Sequence, residues 1–149
     1  MANYLTDARR ALLEALKADA QIAARVKTWF EFGPGLRRRY NVEPAACPLL
    51  ALCPVDGAAT RTANVLTDVV QRLRVEVATD GQDAGPCEEL VALVLERIIA
   101  CDESCLGLSD SGLAGIEVEA VRWRSVPNPA GGRIAWAAGI DLSLLWKRA

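Results

Sequence analysis

A chain of 149 residues, 52% of them hydrophobic, is long enough for one domain with a substantial core. A formal net charge of −2 and a sequence pI near 5.2 argue against a domain held to nucleic acid by phosphate neutralisation. No apolar run approaches the roughly 18 residues of a membrane span, and the opening MANYLTDARR lacks the basic start and apolar block of an export signal, which predicts a reducing compartment for the five cysteines.

Thr6 is placed to cap a helix over DARRALLEALKADA, with Asp7 in its first turn. Leu12, Leu13 and Leu16 make one apolar face, and Arg9, Arg10, Glu14 and Lys17 are expected to look outward. AQIAARV fits a second short helical turn, and KTWFEF an aromatic-rich strand. GPGLRRRYNVEPAAC follows, with Gly33-Pro34-Gly35 at one end and Pro44 near the other. It predicts a loop over residues 33–46, of a length that compact domains tend to reserve for function or leave disordered. PLLALCPV is expected to be a strand buried on both faces and closed by Pro54, and DGAATRTAN a second loop.

In VVQRLRVEVATDG, Leu73, Val75 and Val77 alternate with Arg72, Arg74 and Glu76, the pattern of a half-buried strand ended by Asp80-Gly81. DAGPCEELVALVLERIIAC returns to helical period, with Asp83 as a cap, Pro86 near the first turn, and Glu88 and Glu89 at the positive end of the dipole. Its apolar stripe runs through Leu90, Val91, Val94, Leu95, Ile98 and Ile99. After the loop CLGLSDSGLAG comes IEVEAVRWRSV. Ile116, Val118 and Ala120 alternate with Glu117 and Glu119, and then the phase slips so that Val121 and Trp123 oppose Arg122 and Arg124. A one-residue slip predicts a β-bulge. PNPAGG turns the chain into a last strand with Ile140, Leu142, Leu144 and Trp146 on one face. The order of helix, strands, helix and hairpin predicts a single α+β domain over residues 1–149, two main helices on a mostly antiparallel sheet.

The chemistry-bearing residues are sparse. With no histidine in the chain, the Ser-His-Asp and Cys-His arrangements are excluded. Glu117 and Glu119 share one strand face and are expected to be solvated opposite arginines. Cys101 and Cys105 lie four apart, one helical turn if the helix continues, but lack two further ligands at zinc spacing and are not a CxxC pair. The cysteines therefore read mainly as small buried hydrophobes, and no cofactor or metal is expected. Arg37, Arg38, Arg39 and Tyr40 form the densest charge cluster, within the long loop, and arginines of this kind suit a protein partner. Trp136 and Trp146 belong to the terminal hairpin. An exposed Trp146 on an unpaired edge strand would invite another chain.

The succession of LTDARRALLEALKAD, CPLLALCPV, RLRVEVATDG, CEELVALVLERIIA and a hairpin closing on AGIDLSLLW resembles the tail-terminator, or tail-completion, proteins of long-tailed bacteriophages and related phage-tail-like particles. The resemblance lies in element order over nearly the whole chain, without a sharp motif. It implies a small α+β subunit of a homo-oligomeric ring, a hexamer, that caps the tail tube, stops its polymerisation and joins the head. The implied partners are copies of itself, the tail-tube protein and a head–tail connector or neck protein. DNA would meet it only by passing through the ring, and no membrane is involved. The implied place is the head-proximal end of the tail in the virion, and the host cytoplasm during assembly. Arg37, Arg38, Arg39, Tyr40, Trp136 and Trp146 are the expected subunit or tube contacts. The alternatives are a connector, neck or tail-assembly protein, a small thiol- or metal-dependent enzyme using Cys101 and Cys105, and a plain dimeric binding module.

Overall fold

The computed structural model describes residues 4–31, 44–54, 61–62, 68–101, 106–127 and 131–147. Helices α1 (Tyr4–Ala18) and α2 (Ala20–Arg25) lead into strand β1 (Thr28–Glu31). Strands β2 (Leu49–Pro54), β3 (Arg61–Thr62) and β4 (Asp68–Asp80) precede helix α3 (Gly85–Ala100), and β5 (Leu113–Pro127) and β6 (Arg133–Lys147) form the hairpin. Two 3-10 turns, Pro44–Ala46 and Ser109–Ser111, complete the described elements.

α1 begins at Tyr4, two residues before the expected cap. Its buried stripe is Ala8, Arg9, Leu12, Leu13 and Leu16. Arg9 was expected outside and is only 3% exposed, because its position one turn before Leu13 turns it toward the core. Asp19 starts α2 by accepting from the backbone N–H groups of Gln21 and Ile22 at 3.0 and 3.1 Å. In α3 the buried residues are Cys87, Leu90, Val91, Val94 and Ile98, while Ile99 is 76% exposed and leaves the stripe predicted for it. The Asp83 carboxylate accepts from the Gly85 N–H at 2.9 Å, one residue inside the Ala84 cap.

The strands form one mixed sheet in the order β1-β2-β4-β6-β5, with β3 on β4. β1 and β2 run parallel and the other pairs antiparallel. The helices cover one face. Leu73, Val75 and Val77 of β4 and Ile140, Leu142, Leu144 and Trp146 of β6 point into that layer, against Leu12, Leu16, Leu90 and Val94. A small second cluster of Cys47, Leu49, Ala78 and Ala137 lies apart from this core. Leu49, Leu50, Ala51 and Leu52 are all fully buried, so β2 is covered on both faces as its unbroken apolar run predicted.

The hairpin is where the sequence pointed, and its bulge falls just before Ala120 rather than after it, which moves Ala120 onto the charged face. Val118 pairs with Leu142 and Ala120 with Asp141, which leaves Glu119 as the extra residue. The expectation of β6 as an edge is corrected. β6 lies between β4 and β5 and is paired on both sides, and among the described residues the path β1-β2-β4-β6-β5 ends at β1 and β5.

Candidate functional site: the charged sheet face and the outer strand

The sheet face opposite the helices carries an ordered set of charges. Period-two geometry puts Arg72, Arg74 and Glu76 of β4 on this face, beside Gly139, Asp141 and Ser143 of β6. Arg74 Nε donates to Asp141 Oδ1 at 2.7 Å, and Arg122 Nε of β5 donates to Asp141 Oδ2 at 3.0 Å. Arg74 also reaches Glu76 at 3.9 Å, and Arg72 reaches Glu119 at 3.3 Å. The Ser143 hydroxyl donates a short hydrogen bond to Glu119. The bulge makes this last contact by bringing an additional carboxylate onto the charged face.

Asp141 is 8% exposed, and burial alone would raise its carboxyl; the hydrogen bonds and charges of Arg74 and Arg122 outweigh that and hold it below the ordinary aspartate value. The Arg74 guanidinium is raised in turn, chiefly by its hydrogen bond to Asp141. Gly139 makes room for the arrangement. A Cβ there would lie 3.0 Å from Arg74 Cδ and 3.2 Å from Nε, so a side chain at Gly139 would require Arg74 to give way by a few tenths of an ångström. Expected solvated carboxylates facing arginines are thus present, but Glu119 is drawn into a network that spans three strands.

Among the described residues, Cys47, Cys87 and Cys101 are buried. Cys47 is buried and its thiol is pushed up to about 11, first by burial and then by the charges of Asp80 and Cys87. Burial also raises Cys87, with the neighbouring Thr79 acting against it. α3 ends at Ala100, and Cys101 is its extended cap. Cys105 lies outside the described residues. Among the described residues no group of His, Cys, Asp and Glu could hold a metal ion.

The expected contact residues separate into three cases. Arg37, Arg38, Arg39 and Tyr40 lie outside the described residues. Trp136 is half-buried against the main core, and its Nε1 donates to the Gln82 carbonyl at 2.9 Å. It borders an open depression of about 380 Å³ lined by Gln82, Ser125, Pro127 and Gly132, none of them ionisable. Trp146 corrects the expectation placed on it. It is fully buried, donates from Nε1 to Gln71 Oε1 at 3.0 Å, and meets Tyr4 edge-on with ring centroids 4.7 Å apart. A central strand holds it in the subunit core, where no partner can reach it.

The exposed tryptophan is Trp123, 46% accessible on β5. Sequence reasoning passed over it. The signal was RWR immediately after the bulge, an aromatic held between charged neighbours on a strand.

No protein-family profile and no curated protein matches the chain. Among solved structures, 28 chains match its fold. One belongs to the virion of a native gene transfer agent (GTA) particle, with a TM-score of 0.65 at 20% identity over 94% of each chain. The two share a fold along nearly their full lengths.

Proposed function

We propose that this chain is a structural protein of a phage-like virion and, within that class, a tail terminator. Its copies form a ring, a hexamer, that seats on the finished tail tube, halts polymerisation and presents the surface to which the head joins. The observation that carries the proposal is the fold shared with a chain of a gene transfer agent virion over 94% of both. The same α+β element order supports the terminator role within that class.

The proposed role is non-enzymatic and needs no cofactor. A head-to-tail contact whose rotation returns on itself closes a ring, and a subunit that matches the tube on one side only ends the filament. Its partners are copies of itself, the tube protein and a connector or neck protein. DNA passes through the lumen, where the internally paired charges of the sheet would leave little net field. The working position is the head-proximal end of the tail, reached by assembly in the host cytoplasm. Arg37, Arg38, Arg39, Tyr40 and Trp136 are the candidate contacts with tube or neighbour.

Electron microscopy of the purified protein mixed with polymerising tail tubes tests this. Rings at one end of the tubes, and tubes of limited length, are expected. Attachment only to capsid portals would assign the chain to the connector or neck. Tubes that grow unchecked and uncapped would overturn the terminator role.

A further inference from the structure

The outer strand β5 carries a charge pattern with two-fold character. From Glu117 to Arg124 it reads EVEAVRWR, two carboxylates followed by two guanidiniums. Among the described residues the outer edge of β5 pairs with no strand, and neither Glu117 nor Arg124 has an ion-pair partner. On the helix side of the same strand, Ile116, Val118 and Val121 are only half-buried and Trp123 is 46% exposed.

We propose that β5 is the contact for a second copy of this chain, the two strands pairing antiparallel about a two-fold axis at Val121. Faces and charges together select the register. With Glu119 taken out of the count by the bulge, Glu117, Ala120, Arg122 and Arg124 lie on the charged face. Val118, Val121 and Trp123 lie on the helix side. Directly opposed residues of an antiparallel pair share a face. An axis at Val121 therefore sets Glu117 against Arg124 of the second copy, Val118 against Trp123, and Val121 against itself. Arg122 meets Ala120, with the bulged Glu119 beside it.

The neighbouring registers are worse. An axis at Arg122 opposes that guanidinium with its own copy, and an axis at Trp123 opposes Arg122 with Arg124. Like charges face to face destabilise a strand pair. An axis at Ala120 pairs Glu117 with Arg122, which Asp141 already holds, and leaves Arg124 against Gly115. Only the Val121 axis satisfies both free charges and covers Trp123.

The contact is isologous and closes after two copies, whereas a ring is built from head-to-tail contacts. It is thus a soluble form of the subunit, independent of the ring proposed above, and the ring forms through other surfaces or after the pair separates.

Light scattering across a concentration series tests the contact on the full chain and on Glu117→Arg, Arg124→Glu and the double swap. The parent is expected to be a dimer. Each single swap places like charges at two symmetric contacts and weakens the dimer by about tenfold, and the double swap restores it. A monomeric parent, or single swaps without effect, overturns the proposal. Because Glu117 and Arg124 are surface charges, circular dichroism should show every variant folded. Cross-linking fixes the register. Val121→Cys oxidised to a disulfide should join two copies, and Ala120→Cys and the identically treated parent should not, because a disulfide spans directly opposed residues and not diagonal ones. Failure of Val121→Cys, or equal linking at Ala120, overturns the Val121 axis. A hexamer that survives all three swaps, with no dimer, also overturns the β5 contact while leaving the terminator role standing.

Discussion

The Gln71 amide accepts the Trp146 indole N–H and donates through Nε2 to the Leu5 carbonyl at 2.9 Å, so truncating Trp146 removes packing and a buried hydrogen bond together. Trp146→Ala is expected to cost about 3–5 kcal/mol of stability in chemical denaturation. Self-association should fall only as far as the folded fraction does. That reverses what an edge-strand tryptophan would predict, and a stable but non-associating variant would return Trp146 to an interface. Asp141 offers a second test, in pH. Its folded carboxyl titrates below the ordinary value of 3.8, so its contribution is fully present above about pH 4 and is lost as pH falls through the depressed folded value. Asp141→Asn should therefore cost about 2 kcal/mol at neutral pH. Most of this comes from Arg74, since the Arg122 side chain is 72% exposed and its bond is screened. The gap between parent and variant should close in acid, and a gap independent of pH would exclude the ion-pair account.

Alternation in β4 told which side chains face the helices, and the phase slip predicted after Ala120 came within two residues of the bulge at Glu119, because both depend only on period two along one strand. Strand neighbours were not legible in the same way. Nothing in the pattern of β6 distinguishes a strand paired on one side from a strand paired on two, and so its place between β4 and β5 emerges only in the fold. Arg9 and Ile99 were misplaced for a related reason. Residue type sets an average preference for water or core, whereas the tilt of each helix on the sheet decides which flank is covered. The charged network on the open sheet face was half visible, since Glu117 and Glu119 were expected to meet arginines, but its centre at Asp141 needs three strands in register. The bulge yields an element-level prediction. Deleting Glu119 removes the central irregularity of the β5–β6 ladder without turning any other side chain over, at a cost of about 1 kcal/mol for the lost contacts with Arg72 and Ser143. Deleting Gly139 from central β6 instead shifts one flank of that strand to the wrong face and should abolish cooperative thermal unfolding. Comparable melts for the two deletions would contradict the bulge.

Among the described residues, the molecule divides into a helical layer, a charged sheet face and the sheet ends β1 and β5. Its tryptophans are divided as well: Trp146 serves the interior, Trp136 is half-covered near the hairpin turn, and Trp123 faces outward on β5. On the proposed terminator role, replacing Arg37, Arg38 and Arg39 with serine is expected to impair attachment to tubes or heads. Capping of tubes at undiminished efficiency by that variant would reduce the arginine cluster to a solubility role. The β5 variants should behave differently, altering the mass of the free protein before any tube is added.

The Gln71 side chain joins backbone and indole groups that lie 66 and 75 positions away along the polypeptide. Interactions of that span reward the chain only after long loops have been closed, which slows the acquisition of native structure relative to domains held by local helical contacts. Until residues 133–147 insert between their neighbours, β4 and β5 have no partner in common and their apolar sides stay open to collisions with other copies. A nascent chain is therefore most exposed to aggregation in the interval before its sheet is threaded, and a high local concentration of its own kind is the condition under which that interval matters most.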